Sequence, residues 1–402
     1  MPDSFNREKV NKLLVRIIDI ISRQPVIDDG FAHGRTGLAL LYFYYGNYIN
    51  EEKWSSTALE LVDNILSNLN KEKEGSINTA DFFNGYLGFL TVLSNLKQNE
   101  LLDISYADIK DLDEMVCDWG VAQFQQSNID FFYGGMGALN YFVNRKQISE
   151  DAGYIDILIE NLLPLFKKEN GVFGIINKYY NIVDNRYESE INYSLAHGMA
   201  SVILCLTALW EGGYRKHEID KYLINSITYL LKITEEAPFP EPYCFAAAVN
   251  IDTRKTVHQP RLGWCYSDMN ILHILYLAGK VFSRNDWIER ANQVSGTVSN
   301  RFDSHDTLVG DPFVCHGSAG LFQYYTLLQD LSGQKIYFQV GQEWLSKTIT
   351  FFDETSDDYF NSPAYLQKGH VHSFFYGLTG VALCLLTALD KKFCNWSSII
   401  ML

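Results

Sequence analysis

The chain has 402 residues, 47% of them hydrophobic, and its 48 acidic against 33 basic side chains give a formal charge of −15. That much apolar sequence can bury a large core, whereas the acidity excludes a nucleic-acid binder, which needs a basic face to neutralise phosphates. Seven scattered cysteines, an odd number, do not form a disulfide framework and suit core thiols with two or three metal ligands among them.

The first segment, MPDSFNREKVNKLLVRIIDIISRQP, mixes charges with apolar residues and predicts an amphipathic helix rather than a signal peptide. Next comes HGRTGLALLYF (33–43), a small-residue turn feeding an apolar run, and the same plan recurs down the chain. It returns as NGYLGFLTVL (84–93), YGGMGALNYF (133–142), AHGMASVILCL (196–206), CHGSAGLFQYY (315–325) and YGLTGVALCLL (376–386). A weaker copy, CYSDMNILHILYLA (265–278), has Ser267 and Asn270 where the others mostly carry glycine. The first small residue of the seven copies falls at 34, 85, 134, 198, 267, 317 and 377, so the basic spacing is about 50 residues, room for two helices and two connections.

The repeated runs lack a polar stripe and predict helices buried nearly all round. Amphipathic segments between them, such as WSSTALELVDNILSNLNKE (54–72) and WIERANQVSGTVSNRF (287–302), predict an outer layer. Seven inner helices, each with an outer partner, close most economically into an all-α architecture, an α/α toroid; an open solenoid would need polar caps, and the terminal copies are as apolar as the rest. Residues 1–402 are expected to form one such domain with insertions at about 165–192 and 235–262, where the spacing is stretched. The first contains an expected hairpin at 171–185, the second an irregular loop at 237–260. No apolar run, VALCLLTAL (381–389) included, approaches the ~20 residues of a bilayer span, so a soluble, cytoplasmic protein is expected, membrane-associated only through partners.

Glycines opening each inner helix predict that the turns converge at one end of the ring. Asp130, His197, Arg261, Cys265, Tyr266, Cys315 and His316 all precede inner helices there. Two cysteines and a histidine are a zinc-binding set that leaves a fourth tetrahedral position for a substrate, although buried cysteines also occur simply as packing, and the local CxxC signature is missing. Cys205 and Cys384, inside apolar runs, read as packing. Asp81 repeats the Asp130 spacing and reads as a cap; His33 reads as a capping or core histidine, and His370 and His372 as hydrogen-bonding groups rather than ligands.

GWCYSDMN (263–270) and VCHGSAG (314–320), with LAHGMAS (195–201) upstream, resemble the lanthionine synthetase C-like family over essentially the whole chain. The resemblance implies an α/α toroid of seven helical pairs and one Zn²⁺ held by Cys265, Cys315 and His316. It also implies an active-site histidine at His197, with Asp130, Arg261 and Tyr266 beside it. Many members have glycine where this chain has Ser201, Ser267 and Asn270. The implied reaction adds cysteine thiolates to dehydroalanine or dehydrobutyrine residues of a dehydrated precursor peptide. The implied partners are that peptide with its leader, a lanthipeptide dehydratase and a peptide transporter. Zinc would deprotonate the thiol, His197 would protonate the resulting enolate, Asp130 would orient it or accept the thiol proton, and Arg261 with Tyr266 would hold the developing oxyanion. Two other readings stay open: a zinc thiol-alkylating enzyme of the prenyltransferase type, for which no basic diphosphate pocket is evident, and a glutathione- or peptide-binding relative without cyclase activity.

Overall fold

The computed structural model describes the chain except residues 1–3, 70, 72–74, 146–149, 170, 182–184, 237–241, 363–364 and 366–370. Every repeated apolar run becomes a helix that starts at its small-residue turn: Arg35–Ile49, Tyr86–Gln98, Gly135–Asn144, Met199–Glu211, Asp268–Val281, Ser318–Ser332 and Leu378–Leu389. The lack of a polar stripe has the expected consequence; every residue of Leu378–Leu389 is buried. The intervening segments form the second layer, Glu52–Asn68, Lys110–Gln125, Ala152–Leu162, Lys216–Glu236, Asn285–Ser299 and Lys335–Glu354.

The chain divides into two compact units. The first holds residues 1–113, 310–327 and 338–402. In it the turns are stitched by backbone hydrogen bonds that run from one repeat to the next: Cys315 N–H to Phe375 C=O (3.0 Å), Phe374 N–H to Ala32 C=O (2.9 Å) and Ala32 N–H to Phe83 C=O (2.8 Å). The middle bond joins the last repeat to the first, so the series closes on itself. The N-terminal helix Ser4–Ser22 completes that closure by packing on Leu378–Leu389 as its outer partner. Arg16 fastens the arrangement, its guanidinium donating to Asp357 Oδ1 (2.7 Å), Phe352 O (2.6 Å) and Thr355 O (2.6 Å). These carbonyls end the helix Lys335–Glu354 or follow it, where cations complement the orphan acceptors.

The second unit, residues 114–309 and 328–337, is stitched the same way, Phe131 N–H to Ala196 C=O (2.8 Å) and Leu195 N–H to Cys265 C=O (3.0 Å). It also carries the insertions, whose details differ from the sequence expectation. A hairpin pairs Phe166–Glu169 with Val172–Ile175 across Gly171, whose φ of +77° favours glycine. A second hairpin starts at Asn177–Asn181 and returns as Arg186–Asn192. The expected single hairpin at 171–185 is therefore the second strand of one and the first strand of the next. The expected irregular loop at 237–260 contributes two short strands, Ala248–Asn250 and Thr256–Val257, which extend the second hairpin into a four-stranded antiparallel sheet.

Four of the seven turns share one local device. A residue six places before the first small residue folds its side chain back on the backbone: Asp28, Asn128, Asn192 and Asp311 each accept the N–H two residues on, at 2.6, 3.1, 2.9 and 2.9 Å. Thr79 holds the same place and its hydroxyl bonds Asp81. This Asx geometry is crowded: a Cβ on Gly198 would lie 2.3 Å from Asn192 O. The fifth turn breaks the pattern because the sixth-back residue is Arg261, which has no such short acceptor. Relieved of that contact, the chain uses Ser267 as N-cap with Asn270 in a reciprocal capping box. Asn270 Nδ2 also donates to Trp264 O at 3.0 Å, while the equivalent carbonyl, Val314 O, would lie 1.8 Å from a Cβ on Gly320. Ser201 likewise bonds back, Oγ to Gly198 O at 2.9 Å. The three missing glycines are thus replaced by hydrogen bonds.

One buried titratable group in the inner layer has a stability consequence. His273, in Asp268–Val281, is 5% exposed, and burial pushes its pKa down to about 3. Unfolded histidine titrates near ~6.5, so its contribution is present above that pH and is lost as pH falls toward 3. Urea melts between pH 6.5 and 4 are expected to show a slope shallower by about 1.4 kcal/mol per pH unit in His273→Leu than in wild type; parallel slopes would refute a neutral buried imidazole.

Candidate functional site

In the second unit the third and fourth turns bring two predicted residues together. Asp130 Oδ1 accepts the N–H groups of Phe132 (2.7 Å) and Tyr133 (2.9 Å), which tie it into its own turn, while Oδ2 lies 2.5 Å from His197 Nδ1. His197 is fixed from below as well: Ser194 Oγ accepts its N–H at 3.1 Å, and its C=O accepts Asn177 Nδ2 at 3.4 Å. An ionised carboxylate only accepts, so the Nδ1 facing it carries a hydrogen and Nε2 is left for exchange. Both side chains are partly exposed, 33% for His197 and 21% for Asp130. They open on a cavity of about 470 Å³ whose other walls are Gln126–Ile129 and Ile176–Lys178.

Tyr266 from the fifth turn joins this pair, its ring centroid 5.4 Å from that of His197. Burial, then the neighbouring Cys265, Asp130 and Glu190, push its hydroxyl up to about 12, against a hydrogen bond with Ser194. It is therefore a donor at any working pH. Phe132 meets the imidazole edge-on, ring centroids 6.0 Å apart. Arg261 is half-buried and forms no ion pair among the described residues, but its backbone neighbours are clamped. Pro260 O accepts Arg301 Nη2, and Leu262 N–H donates to Thr307 O at 2.9 Å. Arg301 in turn meets Asp268 at 2.9 Å, with exposures of 2% and 5%, and Asp268 accepts the N–H groups of Phe245 (2.9 Å) and Cys244 (3.4 Å).

Cys315 and His316 open the sixth inner helix, Sγ and Nε2 3.4 Å apart. Two thiols and an imidazole are donor types that suit zinc, and Cys265 at the fifth turn with Cys315 and His316 at the sixth supply them. Burial drives the thiols of Cys205 and Cys384, inside their helices, far up, as packing groups require.

The other histidines and the second aspartate fall as follows. His372 hydrogen-bonds the backbone of Ile21 and Gln24; His370 lies outside the described residues. His33 sits against Phe83 (5.3 Å) and Tyr376 (6.4 Å), and its buried Nδ1 has no hydrogen-bond partner among the described residues. Asp81 caps its own turn through Asn84 N–H at 2.9 Å. Ser194, Asn177 and Glu190 are site residues that sequence reasoning passed over. The alternation in YESEIN (187–192) was the available signal for Glu190, because it sets Glu188, Glu190 and Asn192 on one face of a strand.

The lanthionine synthetase C-like protein family model matches residues 25–401. Nisin biosynthesis protein NisC of Lactococcus lactis subsp. lactis is 22% identical over 353 residues, covering 81% of this chain and 79% of its own. Among solved structures, nisin cyclase superposes with a TM-score of 0.74 at 18% identity, covering 99% of this chain and 98% of its own. Likeness of that extent shows the fold, the α/α toroid expected from the seven repeats, with the small sheets as minor additions.

Proposed function

Because the chain belongs to the lanthionine synthetase C-like family, we propose that it is a thioether-forming peptide cyclase. Its substrate is a dehydrated precursor peptide with leader, in which a cysteine adds to a dehydroalanine or dehydrobutyrine. The observation that carries this reading is the Asp130–His197 pair, tethered at 2.5 Å and open to a cavity large enough for a peptide segment. NisC and nisin cyclase, the similar proteins, support it by name.

Cys265, Cys315 and His316 would hold one Zn²⁺, whose chemistry when bound is to lower the pKa of a substrate thiol so that it reacts as thiolate. The rest falls to the chain's own groups. The thiolate lone pair forms the S–Cβ bond while the Cα=Cβ electrons move toward the carbonyl oxygen, leaving an enolate. His197 Nε2, which bears no hydrogen in the resting tautomer, takes the proton that the thiol gives up and delivers it to Cα, while Asp130 holds the imidazole tautomer and stabilises its charged form. Both Asp130 oxygens already accept hydrogen bonds, so Asp130 orients His197. Tyr266, kept protonated, and Arg261 donate to the enolate oxygen.

Alkenes of this kind arise by dehydration of serine or threonine, so a dehydratase acts upstream, and a peptide transporter would act after ring closure. Since no helix among the described residues is long and apolar enough to cross a membrane, a cytoplasmic site of action accords with this reading. The test is to incubate purified protein with a dehydrated peptide and count free cysteines by thiol blocking and mass measurement. Thiols that stay blockable despite a full complement of zinc would reject the cyclase reading. In parallel, Cys315→Ala is expected to lose most of its zinc by elemental analysis while remaining folded; one full equivalent retained would reject the ligand set.

A further inference from the structure

The four-stranded sheet of the second unit has the order Asn177–Asn181, Arg186–Asn192, Ala248–Asn250, Thr256–Val257, so Asn177–Asn181 is an edge, and among the described residues no strand pairs with its other side. The ladder fixes which of its backbone groups are free. Tyr193 N–H bonds Ala247 O (2.8 Å) and Ile251 N–H bonds Ser189 O (2.9 Å), so odd-numbered residues of Arg186–Asn192 turn their hydrogen-bonding groups toward Ala248–Asn250. Even-numbered residues turn theirs toward Asn177–Asn181, where Asn177, Tyr179 and Asn181 stand opposite Glu190, Glu188 and Arg186. The N–H and C=O groups of Lys178 and Tyr180 consequently point away from the sheet.

That free edge leads to the reacting groups. Ile176, Asn177 and Lys178 line the 470 Å³ cavity together with Gln126–Ile129, Asp130 and His197. Asn177 is bonded to His197 itself through Nδ2. Long exposed edges invite pairing and are normally blunted by bulges, proline or charge; the sequence NKYYN (177–181) has no proline, and Lys178 is its one charge.

Resting on the reading that the substrate is a peptide, we propose that it docks as an added strand along the free edge of Asn177–Asn181, bonded to the outward backbone of Lys178 and Tyr180. Strand addition makes affinity a property of main-chain groups, with side chains contributing only at alternate positions. It therefore suits an enzyme that must present chemically different stretches of one peptide to a single reacting pair. The added strand would lie about 4.8 Å from the edge and run into the cavity, which brings one end of the segment to His197.

The experiment uses the full-length protein, zinc-loaded, and a fluorescein-labelled synthetic peptide carrying one dehydroalanine and one cysteine, with binding read by anisotropy and ring closure by mass. Lys178→Pro deletes an outward N–H without touching the ladder, and should raise both Kd and KM about tenfold or more, the worth of one or two backbone hydrogen bonds, with kcat nearly constant. Lys178→Ala keeps the N–H and should weaken binding at most about threefold. Thr256→Pro, at an outward position on the opposite edge, is the control for proline in this sheet and should bind as wild type. If Lys178→Pro misfolds, Tyr180→Pro asks the same question. Equal losses for Lys178→Ala and Lys178→Pro, or wild-type Kd in the proline variants, would overturn the docking mode. Failure of the wild-type protein to close the ring would sink the cyclase reading instead, since the ratio of Kd values still reports on the edge.

Discussion

His197→Asn protein is expected to keep its zinc and its fold, to bind dehydrated peptide, and to close thioether rings about 10²- to 10⁴-fold more slowly, the usual worth of a general acid or base. Asparagine can still donate to Asp130 Oδ2, which sits 2.5 Å from Nδ1 in the wild type, so the turn survives. What disappears is a group able to carry a proton to Cα. Asp130→Asn should give a smaller loss in rate, because the imidazole no longer has a carboxylate to hold its tautomer. It should also weaken the third turn, where Oδ1 caps two N–H groups. Wild-type turnover in His197→Asn would make the imidazole a bystander. Loss of zinc in that variant would make it a ligand, and the assigned set would be wrong.

Arg301→Met is expected to destabilise the protein by about 3 to 5 kcal/mol, the cost of leaving one member of a buried ion pair alone. Asp268 would be left 5% exposed with its charge uncompensated. Burial already pushes that carboxyl up to about 6 against the pull of Arg301 and two N–H groups. Its folded pKa lies above the unfolded value, so the charged form becomes the strained one as pH rises through about 6. The deficit of Arg301→Met should accordingly be larger at pH 8 than at pH 4.5, and pairing it with Asp268→Asn should recover much of it. Guanidinium melts at the two pH values decide the matter; equal deficits would show that packing around Arg301, and not the pair, carries the effect. Release of Pro260 O should also let Arg261 drift and slow ring closure in whatever fraction remains folded.

The repeats and the inner helices were legible because their signal is long and composed only of apolar and small residues; spacing of small residues from 34 to 377 located every inner helix. The placement of Asp130, His197, Tyr266, Cys315 and His316 at helix openings was legible. Their wiring was not. That Asp130 divides its two oxygens between its own turn and His197 depends on a contact 67 residues distant. Ser194 and Asn177 act through short bonds to His197 that no periodicity announces. The sheet was half visible for a similar reason: Ala248–Asn250 and Thr256–Val257 are three and two residues long, too short for an alternation to show, and they are strands only because a hairpin waits beside them. Ser267 and Asn270 look like departures in a list of glycines and prove to be a capping box once Arg261 is seen to replace an Asx turn.

The pairing of the N-terminal helix with the last inner helix imposes a timetable on synthesis. Ser4–Ser22 leaves the ribosome long before the surface that covers its apolar side, Leu378–Leu389, and Arg16 finds Asp357 only 341 positions further along the chain. At translation rates of about 5 to 20 residues per second, that side is uncovered for roughly 20 to 70 seconds. Nascent chains are thus held incomplete until Leu378–Leu389 emerges, which exposes them to chaperones and proteases for the whole interval. A circular permutant beginning after the third turn would shorten the wait for this helix, and the yield of folded protein from the two gene orders would measure what the native order costs the cell.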